Sequence, residues 1–188
     1  MKPGVRALGV AESFRDERST LAGVVVRADR VVDEFAFASC TVGGTDATDA
    51  VCSLTDRLAR EDVRYVFLGA VAPAWYNLLD LSRIHERAGR PVLAVTFEAS
   101  DDGLEAGLRD AFSDDELADR LERYRALPPR QAVDVGDETV YVRAVGLEAN
   151  EAATVVRAFT PEGGRPEPLR VARLAARAGD EYRRELEG

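Results

Sequence analysis

Four segments of the chain carry residue types that can do chemistry. The first is Thr41-Val42-Gly43-Gly44-Thr45-Asp46-Ala47-Thr48. Its paired glycines lie between a strand-like and a helix-like stretch, so backbone can approach a ligand closely and the helix start can offer N–H groups to an anion. The plainer alternative is a glycine turn in which Thr45 or Asp46 caps the helix, with Asp46 and Asp49 in the first turn where the helix dipole favours acids. The second segment is Gly9-Val10-Ala11-Glu12-Ser13-Phe14. A carboxylate at a strand end, beside another on a neighbouring element, is how oxygen ligands gather Mg²⁺ ions for phosphodiester hydrolysis. Glu12 fits that description, and it is equally one surface acid among 34 Asp and Glu.

The third segment runs from Gly69 to Asp80 through Pro73, Trp75, Tyr76 and Asn77. A strand end followed by aromatics, an amide and an acid opens a pocket at the C-terminal edge of a sheet, where ligands collect in α/β proteins. Alternatively Trp75 and Tyr76 pack a helix down, with Asn77 and Asp80 in its first turn. The fourth segment is the last helix-like stretch, where Arg170, Arg173, Arg177 and Arg184 form a stripe beside an apolar face of Val171, Leu174, Ala175, Ala178 and Tyr182. With Arg165 just before it, this is the best phosphate-contact surface in the chain. Its plain alternative is a solvated face paired with Glu167, Glu181 and Glu185.

Other chemistries are excluded by count. Cys40, Cys52 and His85 are the only cysteines and histidine, too few for a structural zinc site. A hydroxyl-nucleophile triad would have to use His85, and no GxSxG elbow is present. Both cysteines read as small buried hydrophobes in a reducing compartment. The 25 basic residues against 34 acidic ones leave a net charge of −9, and Lys2 is the only lysine. Acid excess with almost no lysine fits a halophile, and such a surface adaptation weakens the usual argument from acidity against nucleic-acid partners. The longest apolar stretch, Val66 to Trp75, is about half of what a membrane span needs. No signal pattern opens the sequence, so the expected location is cytoplasmic, with no membrane partner.

These segments need elements to position them. Val5–Val10, Thr20–Arg27 and Val31–Thr41 read as three strands, the last two an antiparallel hairpin. A helix from Thr45 to Arg60 follows, then a strand Arg64–Ala70, a helix Trp75–Arg87 and a strand Val92–Phe97. Acidic helices at Asp101–Phe112 and Ser113–Ala126 precede a strand Thr139–Val145, and helices at Glu148–Ala158 and Glu167–Leu186 close the chain. The order predicts one α/β domain, 1–188, with a mixed sheet of three antiparallel and then parallel strands, flanked by helices.

Taken together, GVAESF, TVGGTDAT, GAVAPAWYNLLD, GRPVLAV, VRAVGL and PEGGRPEPLRVARLAARA resemble the archaeal endonuclease dU family, which is related to endonuclease V. The resemblance covers about Pro3 to Ala178. It implies a ribonuclease H-like fold and a Mg- or Mn-dependent nuclease acting on DNA or RNA with deaminated or modified bases. It also implies Glu12 and Asp46 as catalytic, metal-holding acids, and Thr45, Thr48, Tyr76 and Asn77 as substrate contacts, the tyrosine and amide on a base; with the arginine stripe it points to Arg170 and Arg173 as contacts to phosphates. Three family positions have changed here. Ala11 stands where the family has the first of two aspartates, Gly43 where it has an aspartate, and Arg173 where it has a histidine. Those changes open an alternative expectation: a catalytically inactive module that binds nucleic acid or a small anion.

Overall fold

The computed structural model describes residues 1–58, 60–99 and 102–187. Strands β1 (Arg6–Arg15), β2 (Arg18–Arg27) and β3 (Val32–Thr41) form a meander of ten-residue strands. After them come α1 (Ala47–Arg57), β4 (Val63–Leu68), the short turn α2 (Pro73–Tyr76), α3 (Leu81–Ala88) and β5 (Val92–Thr96). Helices α4 (Asp102–Ala111) and α5 (Asp114–Arg125), the hairpin β6 (Gln131–Val135) and β7 (Glu138–Val145), then α6 (Ala149–Ala158) and α7 (Glu167–Glu187) complete the chain. Seven strands form one mixed sheet in the order β3-β2-β1-β4-β5-β7-β6. β4 runs parallel to β1, and β5 parallel to β4. β7 is antiparallel to β5, because the chain reaches it through the β6 hairpin rather than a crossover helix.

Each face of the sheet buries its own core. Leu8, Val10, Leu21 and Val25 pack under Val51 and Leu54 of α1 and Ile84 of α3. On the other face Phe67, Leu93, Val140 and Val142 meet Val156 and Phe159 of α6, while Val24 and Val26 meet Ala172 of α7. Burying a Leu- or Phe-sized side chain contributes roughly 1.5–3 kcal/mol, so these rows hold the helices to the sheet. Gly9 matters for α7: a Cβ there would run into the Pro168 backbone, so only glycine lets the helix start sit against β1.

The structure departs from the sequence reading in four places. β1 continues to Arg15, five residues past the expected end, because β2 pairs with it along its whole length. The helix expected over Trp75–Arg87 is instead the α2 turn, an extended step and α3. Strand β6 was not expected. Helix α1 starts at Ala47 and ends at Arg57, short of both expected ends. Of the expected helix spans, Ala59 and Asp101 lie outside the described residues. Among the described residues no helix is long and apolar enough to cross a membrane.

Candidate functional site

β1 outruns its parallel neighbour. Pairing with β4 stops at Val10–Leu68, and Gly69 donates its N–H to the Val10 carbonyl at 3.0 Å before the chain turns away. Past that point one side of β1 is open, and a cleft of about 350 Å³ lies there. Apolar Val10, Leu21 and Leu68 line it together with Glu12 and Phe14 of β1. Pro73 lines it too, and Arg165, Arg173 and Arg177 supply a cationic face from α7 and the loop before it.

Glu12 is held by its surroundings rather than free. Its Oε2 accepts hydrogen bonds from Ser19 Oγ at 2.8 Å and from the Ala74 N–H at 2.8 Å. Burial raises its pKa, and those two hydrogen bonds oppose the rise only in part. The Ala74 bond fastens an unusual turn. Ala74, Trp75 and Tyr76 have φ values of 49°, 56° and 61°, three consecutive left-handed residues with no glycine among them. Each costs of the order of 1–2 kcal/mol, so other contacts must hold the turn. Gly43 N–H donates to the Ala74 carbonyl at 2.7 Å, and Asn77 N–H donates to the Pro73 carbonyl at 3.0 Å.

Asp46 and Asn77 form a second, closed cluster. Asn77 is wholly buried; its Oδ1 accepts from Ala47 N–H at 3.0 Å, and its Nδ2 donates to Thr41 O at 2.9 Å and Asp46 Oδ1 at 2.8 Å. The amide thus replaces the side-chain cap that Asp46 does not make for α1. Asp46 instead folds back, accepting from Thr41 N–H at 3.0 and 3.1 Å and from Thr41 Oγ1 at 2.9 Å. Burial pushes the Asp46 carboxyl upward, but the bonds from Thr41 and Asn77 together outweigh it and hold its pKa below the usual range. Gly43, on the same turn, is covered: the Trp75 ring would lie 2.7 Å from a Cβ there, and Arg120 Nη2 donates to the Gly43 carbonyl at 2.6 Å. Arg120 is itself buried and stacks over Phe112 at 3.8 Å.

The expected site residues therefore separate. Glu12 and Arg173 face one cleft. Asn77 is a positioning residue with no surface to offer a base. Thr48 is buried, its Oγ1 accepting from Asp80 N–H at 3.0 Å, so it too is structural, whereas Thr45 is exposed. Tyr76 turns toward α4, packing with Trp75 and Phe112 and bringing its hydroxyl against Gly107. Arg170 forms a bidentate pair with Glu167, both contacts 2.7 Å, and does not line the cleft. Arg177, read from the sequence only as a member of the stripe, and Arg165, read as lying just before it, do line it. Helical spacing carried that signal, since positions 173 and 177 are one turn apart. Among the described residues neither Arg173 nor Arg177 has an acidic partner, whereas Arg170, Arg183 and Arg184 on the same helix are paired.

A two-ion centre does not fit these residues. Mg²⁺ asks for near-octahedral oxygen ligation, and a pair of ions needs several anionic donors. Both Asp46 oxygens already accept hydrogen bonds, Ala11 and Gly43 bring no donor, and Arg173 brings a positive charge. Among the described residues no group of three His, Cys, Asp or Glu side chains is gathered as a metal site would need.

The sequence profile of Endonuclease dU matches residues 3–179. The chain belongs to the Endonuclease dU family. A UPF0215 protein from Pyrobaculum calidifontis is 35% identical over 178 residues, 93% of this chain and 97% of the relative. One from Thermococcus kodakarensis is 32% identical, covering 95% and 93%. Among solved structures, a protein of unknown function from Archaeoglobus fulgidus superimposes with a TM-score of 0.80 at 27% identity, over 92% of this chain and 96% of that one. Endonuclease V from Streptomyces avermitilis gives 0.64 at 20% identity, over 96% and 83%. Ciona intestinalis endonuclease V, solved with inosine-containing DNA, gives 0.60 at 12%, over 94% and 86%. The fold of this Endonuclease dU family member is thus the ribonuclease H-like mixed sheet that the sequence led us to expect.

Proposed function

We propose that this Endonuclease dU family member binds nucleic acid, DNA or RNA, in the cleft beside the open edge of β1, and that it does so without two-ion phosphodiester hydrolysis. The observation that carries the reading is the set of three arginines, Arg165, Arg173 and Arg177, lining one cleft while Arg173 and Arg177 have no acidic partner among the described residues. Guanidinium forks left unpaired beside a concave surface match phosphate oxygens in geometry and charge. Family membership and the likeness to endonuclease V in complex with DNA support the nucleic-acid part. The closed hydrogen bonding of Asp46 supports the loss of hydrolysis.

The test pairs binding with cleavage in one buffer. Single- and double-stranded DNA carrying deoxyuridine or deoxyinosine, with RNA counterparts, is titrated by fluorescence anisotropy and incubated with Mg²⁺ or Mn²⁺. Binding that weakens at least tenfold in Arg173→Ala/Arg177→Ala is expected, with no cutting above the Glu12→Ala/Asp46→Ala blank. Metal-dependent cutting that disappears in that blank would overturn the non-hydrolytic reading. Absence of binding to every substrate would overturn the nucleic-acid reading itself.

A further inference from the structure

The cationic face of the cleft is denser than an internal phosphodiester needs. Three guanidinium groups share the cleft with a single carboxylate, Glu12. Arg165 lies stacked over Phe97 at 3.8 Å, and its pKa is lowered first by burial and then by the nearby charge of Arg173, against which the charge of Glu98, outside the cleft lining, acts in the opposite direction. Two like charges held close, one of them half-buried, favour a ligand that carries more than one negative charge. An internal diester carries one charge per phosphate, whereas a phosphate monoester carries about −1.5 to −2 at neutral pH. The volume argues the same way. At about 350 Å³ the cleft sits at the small end of ligand pockets, with apolar Val10, Leu21 and Leu68 and exposed Phe14 in its lining.

We propose that the cleft is a monoester site: Arg165, Arg173 and Arg177 hold the terminal phosphate of a nucleic-acid strand, their guanidinium groups supplying the positive charge that a divalent ion would otherwise bring. This rests on the nucleic-acid reading above and narrows it to strand ends. Each guanidinium offers a planar pair of N–H donors, so three of them can satisfy the acceptor-rich monoester without metal.

The experiment measures anisotropy of short single-stranded oligonucleotides that differ only in their ends: 5′-phosphate, 3′-phosphate or hydroxyl at both. Each is titrated in EDTA and in Mg²⁺, and a nucleoside monophosphate serves as competitor. Expected is at least tenfold tighter binding of a phosphorylated end, equal in EDTA and Mg²⁺. That preference should vanish in Arg173→Ala/Arg177→Ala and persist in Arg170→Ala, whose arginine is outside the cleft. Arg173→Lys, which keeps charge but loses the fork, should retain only part of it. Displacement by the nucleoside monophosphate at comparable concentration keeps the monoester chemistry but overturns the strand end as its source in favour of free nucleotides. Equal binding of all three ends overturns the inference while leaving the nucleic-acid reading standing. A requirement for Mg²⁺ overturns the replacement of the cation, and no binding at all overturns both readings.

Discussion

Gly43 shows how a single position closes off a site. Its φ of +69° is a left-handed conformation that favours glycine, and the Trp75 ring covers the space a side chain would enter. Placing an acid there by Gly43→Asp therefore meets both backbone strain and the ring, and should destabilise the fold by roughly 2 kcal/mol or more. It should also fail to create a metal site, since both Asp46 oxygens stay committed to Thr41 and Asn77. Urea unfolding with and without Mn²⁺ checks this. A variant as stable as wild type, or one stabilised by millimolar Mn²⁺, would show that the turn adapts and that the acid alone was missing. This residue-scale logic was hidden in the sequence. Asn77 and Thr48 are polar and near expected pocket segments, but their partners lie 30 and 32 residues away in the chain. Nothing local says that Asn77 caps α1 instead of facing a base.

At the level of elements, the three-strand meander was legible because its pattern is strong. Val24-Val25-Val26 and the alternation through Phe35 and Phe37 leave few other structures, and short links join the strands. Strand β6 carried a weaker but readable signal. Val133 and Val135 are buried around exposed Asp134, and a two-residue Gly136-Asp137 turn leads back into β7. The α2 turn had none, since its left-handed run is held by Glu12 and Gly43 from elsewhere in the chain. The far end of the meander is sutured by charge. Asp33 of β3 accepts from Arg6 of β1 at 2.6 Å and from Arg27 of β2 at 2.7 and 3.0 Å. Hydrogen bonds from Arg27 and then Arg6 draw its pKa from the usual 3.8 down to about 2. A folded-state value below the unfolded one means the contribution is complete above pH about 4 and is lost as pH falls through about 2. Asp33→Asn should therefore lower stability at neutral pH and flatten the acid limb between those values. Unfolding midpoints from pH 7 to 2 provide the check, and parallel curves for the two proteins would mean that the pair does not couple to folding.

Across the whole molecule, salt should act in opposite directions on stability and on binding. The net charge of −9 makes the folded surface self-repelling, and screening shortens from about 10 Å at 0.1 M to about 3 Å at 1 M salt. Exposed pairs such as Arg83–Asp49 and Arg87–Asp56 also weaken, but such solvated pairs contribute little, and the acids outnumber the bases by nine. Repulsion should prevail, so raising KCl from 0.1 to 1 M is expected to raise the melting temperature, by about 2–4 °C for each kcal/mol of repulsion relieved. Binding should move the other way. Three arginines neutralising the up to two charges of one terminal monoester imply a loss of roughly 5- to 25-fold in affinity over that tenfold change in salt. Unpaired arginines on an exposed stripe would follow that slope in full. Arg165, half-buried and stacked on Phe97, should keep part of its contact at high salt because a desolvated charge is screened less. The discriminating measurement is the salt slope of Arg165→Ala beside that of Arg173→Ala. A larger affinity loss at 1 M KCl from Arg165→Ala would locate the salt-resistant part of binding at the cleft's buried end. Equal losses at both salts would mean that all three arginines act as surface charges.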